Sequence, residues 1–213
     1  MTAPLPSCKR SGHGDGVTML YRLDATADEI ARAFGADPGR DPWDGGYATP
    51  GKFAPVIVTG RDRVRRLVPR LWGVPPPPAA ALTGGAPIAQ VRNLESPFWI
   101  GNLRHTEFRC LVPVTRFQMW SQASDPRTGK RIAHWFSLPA APIFALAGLW
   151  RDSEVPSFAL LSCDPNRLVG AVNPRTMPVI LHPEDQEGWL RADWKSAQKL
   201  VAPFPSQLMA IGA

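Results

Sequence analysis

Cysteine, histidine and arginine are the residues of this 213-residue chain most able to do chemistry, and their spacing narrows what that chemistry can be. Cys8, Cys110 and Cys163 form no CxxC pair, and no two histidines have zinc-ligand spacing, so no metal site is expected. Cys110 and Cys163 lie inside apolar runs and read as inert buried thiols, whereas Cys8 falls in a polar leading segment and reads as a spectator. His105, His134 and His182 share no spacing with a carboxylate or thiol, so no catalytic dyad is expected from them. No cofactor motif is present.

Arginine is the most abundant of these groups. Lys+Arg total 24 against 18 Asp+Glu, a net charge of +6, and nineteen of the bases are Arg. Guanidinium forks suit phosphate, so a polyanionic partner and a merely solvated basic surface are both consistent with the balance. Five Arg fall within residues 61–70, among them Arg63, Arg65 and Arg70. Arg109 and Arg116 read as solvated or paired charges at strand ends. The odd cysteine count and the absence of an apolar leader predict reduced thiols and a cytoplasmic location. No apolar run approaches the ~20 residues of a membrane span. A monomer is expected.

Those side chains need a scaffold, and 24 Pro with 18 Gly exclude one of long helices. Residues 1–16 read as a flexible tail and residues 17–213 as one domain. Residues 18–23 suggest a strand. Thr26 then caps a helix, with Glu29 three positions on to complete a capping box and Gly35 to stop it. Residues 54–59, 108–114, 131–137, 143–150 and 158–163 have strand composition. Further helices are predicted near Ser96, near Asp164 and near Pro183, the last with Trp189 and Leu190 on its buried side. The expected fold class is α+β: a single domain with a curved, mainly antiparallel, barrel-like sheet and short peripheral helices.

The order of several short segments adds a resemblance. Leu20-Tyr21-Arg22, Trp72-Gly73, Val91-Arg92-Asn93, Arg109-Cys110-Leu111-Val112-Pro113, Phe117 with Trp120, Ala147-Gly148-Leu149-Trp150 and Met177-Pro178-Val179-Ile180-Leu181 follow one another as in the SOS response-associated peptidase (SRAP) family. The chain resembles that family from about residue 17 to residue 190. The resemblance implies a site at which a terminal cysteine traps the aldehyde of an abasic site in single-stranded DNA through its amine and thiol. It also implies a glutamate in a Phe-x-Glu-Trp motif, a histidine two residues before an Arg, and an Asn-x-Arg motif that positions substrate and phosphate.

At the chemical positions this chain departs from that pattern. Thr18 stands where the cysteine belongs, Met119 replaces the glutamate, Asn173 the histidine and Gln90 the asparagine. A hydroxyl is hardly ionised where a thiol is already partly thiolate, a thioether moves no proton, and an amide does not titrate. The DNA-contacting positions are better kept. Arg92 and Arg175 match the family's phosphate-binding arginines and Trp72 an aromatic at which DNA unstacks. Arg70 is expected to extend the basic track, with Gln90 and Asn173 in contact distance of DNA.

Three functions follow. The first is a SRAP-like protein of the DNA-damage response type that binds single-stranded or abasic-site DNA without the cysteine chemistry. The second is an active peptidase or DNA–protein crosslinking enzyme using shifted residues, or a Thr18 exposed by processing. The third is a protein-interaction module on the same fold. Thr18, Gln90, Met119 and Asn173 are expected to converge in one cleft.

Overall fold

The structure, a computed structural model, describes residues 19–212. Thr18, Cys8 and the expected tail lie outside them. Among the described residues, thirteen strands run in chain order: β1 (Leu20–Leu23), β2 (Gly46–Ala48), β3 (Phe53–Thr59), β4 (Arg65–Trp72), β5 (Gln90–Val91), β6 (Arg109–Val114), β7 (Arg116–Ser124), β8 (Arg131–Ser137), β9 (Phe144–Arg151), β10 (Ser157–Cys163), β11 (Met177–Pro178), β12 (Ile180–Leu181) and β13 (Ala210–Gly212). Six short helices interrupt them: α1 (Ala27–Phe34), α2 (Pro78–Leu82), α3 (Pro97–Arg104), α4 (Arg167–Gly170), α5 (Gln186–Arg191) and α6 (Trp194–Ala197).

Helix α1 forms as its local sequence requires. The Thr26 hydroxyl and the Glu29 carboxylate cap each other's backbone N–H, which satisfies two of the donors a helix start leaves open. Gly35 ends it at φ 58°, in the left-handed region that glycine enters without a Cβ penalty. Ile30, Ala31 and Phe34 are its buried face.

Two sheets enclose the core. One is five-stranded in the order β13-β8-β7-β1-β2. In the other, β10, β4, β3, β6 and β9 pair in sequence, and β9 pairs again with β10, so these strands close into a ring. Closure leaves those strands no free edge. Pairing is mainly antiparallel, with β10 running parallel to both β4 and β5. Tyr21 of the first sheet meets Trp72 of the second at 5.1 Å between ring centroids, and Trp72 stacks on Phe158 at 5.9 Å. The architecture is a single mixed α+β domain with a partly ring-like sheet. Gly148 of β9 is needed inside the ring, because a Cβ there would come within 2.8 Å of Cys110 Sγ.

Arg109 corrects one sequence reading. It is no solvated strand end: it is fully buried, donating to the carbonyls of Leu103 (2.7 and 2.9 Å), Trp189 (3.1 Å) and Ala192 (2.7 Å). Its guanidinium lies beside the rings of Trp189 and Trp194, 5.5 and 5.6 Å from their centroids. Burial pushes its pKa down to about 10. It therefore ties α3, β6 and α5 together as a piece of scaffold.

Candidate functional site

Arg92, Asn173 and Arg175 gather at the C-terminal end of β10. Strand β5 runs parallel to β10 with Gln90 opposite Leu160 and Val91 opposite Leu161, which carries Arg92 just past the strand end. There Arg92 donates to the carbonyls of Cys163 (3.3 Å) and Arg175 (2.8 Å) and pairs with Asp164 Oδ1 at 2.6 Å. After β10, Asn166 caps α4 by accepting from the Val169 N–H, and the chain turns back. Asn173 accepts the Arg175 N–H at 3.0 Å in a tight turn, while its own N–H donates to Val169. Thr176 closes the loop by donating to the Cys163 carbonyl. Arg92, Asn173 and Arg175 thus form one corner although 83 residues separate the two arginines.

Two further links attach the remaining positions. The Gln122 N–H on β7 donates to the Val172 carbonyl, bringing the strand that holds Met119 against this loop. Gln90 donates through Nε2 to Met19 Sδ at 3.6 Å, and Met19 directly precedes β1, which pairs with β7. Thr18 itself lies outside the described residues. Met119 is buried in the core, and Asn173 is buried in the return loop that Gln122 meets. Trp120, Arg131, Asn173 and Arg175 line a shallow notch of about 20 Å³.

Other expected contacts are not at this corner. Trp72 is fully buried, stacked on Phe158 and donating from Nε1 to the Ala89 carbonyl at 3.0 Å. It supports the segment that leads into Gln90 from beneath and offers no face to a base. Arg70 is also misplaced by the sequence reading. Its neighbour Leu71 pairs with Ser157 at the start of β10, so it lies a strand length, ~20 Å, from Arg92. It is half-buried over the Trp150 ring at 4.8 Å. Arg65 is bound to the Phe34 carbonyl and to Glu187, and the Arg63 carbonyl accepts from Arg191. Of the five arginines in the run, Arg65 and Arg70 are held by packing partners, Arg66 is paired with Asp62, and Arg61 and Arg63 are exposed.

His134 is the residue that spacing missed. It stands directly opposite Met119 in the β7–β8 pair, and it lines a cavity of about 360 Å³ with Ser121, Gln122 and residues 170–172. Only the strand register reveals that proximity. Burial raises the Cys110 thiol far above its ordinary value and Cys163 to about 11, which disfavours the nucleophilic thiolate at both.

The ring-like sheet and the corner built across its strand ends define a class of fold. A family model described as SOS response associated peptidase (SRAP) matches residues 19–212. The chain belongs to that family. Among solved structures, a protein from Bacteroides thetaiotaomicron is similar with a TM-score of 0.73 at 19% identity, over 90% of each chain. A protein from Bordetella bronchiseptica gives 0.71 at 18% identity, covering 92% of this chain and 98% of the other. A phage-related protein from the same organism gives 0.69 at 18% identity, covering 91% and 92%. Likeness at this identity concerns the fold alone. No curated protein matches the chain. Among the described residues, no helix is long and apolar enough to cross a membrane.

Proposed function

We propose that this protein holds single-stranded or abasic-site DNA, in a DNA-damage context, at the Arg92–Asn173–Arg175 corner without trapping it covalently. The observation that carries the reading is the pairing of the two family-position arginines, Arg92 Nη1 to the Arg175 carbonyl at 2.8 Å, and the Met119 at the family's glutamate position cannot move a proton. Both guanidiniums remain at the surface. Asn173 Oδ1 is already used by the Arg175 N–H, so its amide N–H₂ is the group left to meet a phosphate or base. Thr18, Met119 and Asn173 lack the nucleophile, acid and base that the family's reaction needs.

The test is salt dependence. Each phosphate contact to a single strand contributes about 0.7 to the slope of log K against log salt. Arg92→Ala and Arg175→Ala should each lower that slope by about 0.7 and weaken binding alike for all sequences. Unmodified protein with no affinity for single-stranded DNA at low salt would end the reading and favour a protein partner.

One observation favours a second reading. His134 opposite Met119 restores a titratable imidazole next to the empty glutamate position. Combined with a Thr18 freed by processing, it supplies a route to residual crosslinking. A denaturation-resistant adduct that disappears in His134→Ala would select it.

A further inference from the structure

The outward face of the five-stranded sheet carries a row of side chains that the core does not use. Arg22 stands opposite Tyr47 on one side and Arg116 on the other. Tyr47 is 58% exposed, and its ring centroid is 6.0 Å from that of Trp135. The Arg22 guanidinium lies 4.6 Å from the Tyr47 centroid and Arg116 5.1 Å from that of Trp135. Like charges placed directly opposite repel, yet a single carboxylate, Asp24, serves both, at 2.6 and 3.8 Å. One positive charge is left over.

The row continues toward the corner. Gln118 follows Arg116 on the same face of β7, opposite Trp135. It is nine-tenths buried, and its Oε1 has no hydrogen-bond partner among the described residues. Two residues further, Trp120 lines the notch that Asn173 and Arg175 share. From Arg116 to Trp120 the strand advances ~13 Å.

We propose that this face is an exit track for single-stranded nucleic acid leaving the corner, with Arg22 and Arg116 on phosphates and Tyr47 and Trp135 under bases. The proposal rests on the DNA-holding reading above. Its chemistry is that of single-strand platforms, in which guanidinium planes and aromatic rings stack bases without regard to sequence. Interleaved arginine and aromatic side chains on a sheet suit that ligand better than an apolar protein surface, which favours few charges at its centre.

The experiment compares oligonucleotides of roughly four and roughly sixteen nucleotides, lengths that bracket known single-strand sites. Arg92→Ala should weaken both. The double variant Arg22→Gln with Arg116→Gln, and separately Tyr47→Ala, should weaken only the longer one, by roughly fivefold or more. The double variant should also lower the salt slope by about 1.4. Bromouracil-substituted long oligonucleotide, photolysed with the unmodified protein, should crosslink to Tyr47 or Trp135, a readout that does not depend on a variant folding. Unchanged affinity of the face variants while Arg92→Ala still weakens binding would overturn the track and leave the corner standing, as would adducts found only elsewhere. Failure of the unmodified protein to bind either length would remove both readings.

Discussion

Arg109 and Arg92 are the same residue type in two opposite settings. Arg109 is fully buried and its donors meet three backbone carbonyls, so the charge is spent on joining elements. The Arg92 side chain is 53% exposed and its main ionic partner, Asp164, is 80% exposed, a pairing worth at most about 1 kcal/mol. A phosphate can compete for the second arginine and cannot reach the first. Within one small domain, burial separates arginines that hold the fold from arginines available to a ligand, and count or net charge does not.

The contrast breaks most visibly if the buried group is removed. Arg109→Met leaves three carbonyls without donors and should cost about 3–5 kcal/mol, read as a shift in urea midpoint. Arg109→Lys should recover only part of it, since one ammonium cannot span carbonyls on both sides. Arg92→Ala should leave the midpoint within about 0.5 kcal/mol of the original. Equal losses at both sites would erase the distinction.

Trp72 tests the same boundary among aromatics. Trp72→Ala should cost about 3–5 kcal/mol through the cavity it opens. Trp72→Phe should retain the fold and keep DNA affinity within twofold, roughly the range of a surface change, because the ring faces Phe158 and Tyr21 rather than solvent. A selective loss of DNA binding in folded Trp72→Phe would return that residue to the site.

A third prediction concerns pH. The Cys110 thiol is buried and its pKa lies far above the ordinary 9.0. Below that value neither folded nor unfolded thiol is ionised and the group adds nothing. Between pH 9 and pH 10 this thiol ionises in the unfolded chain and not in the folded one, so it alone lowers stability by about 1 kcal/mol over that unit, with the raised Cys163 adding to the fall. Urea titrations across that window should show the slope, and Cys110→Ala should reduce it.

The smallest effect sharpens the other side of the comparison. Asp164→Ala removes the carboxylate held against Arg92 at 2.6 Å and should raise affinity for single-stranded DNA by about two- to fivefold, with melting hardly altered. Fluorescence anisotropy at low and high salt measures it, and the gain should shrink with salt. A loss of affinity would mean that Asp164 holds Arg92 in its binding pose.

What could be read in advance followed the range of each interaction. Helix α1 was legible because Thr26, Glu29 and Gly35 act within ten residues of one another. The corner was legible in part, since ordered motifs located Arg92, Asn173 and Arg175. Strand β7 was not, because Gln118, Met119 and Trp120 break any simple apolar alternation and are reconciled only by its neighbours β1 and β8. The burial of Trp72 and Arg109 and the displacement of Arg70 depend on partners up to 86 residues away, which no local window contains. His134 was passed over for the same reason.

The central claim is that the corner binds without reacting, and one paired assay tests it most directly. Unmodified protein is incubated with single-stranded DNA containing one abasic site, and the same sample is run on a native and a denaturing gel. The account predicts a shift on the native gel that fades as salt rises, and free DNA on the denaturing gel. A protein–DNA band that survives denaturation would contradict it.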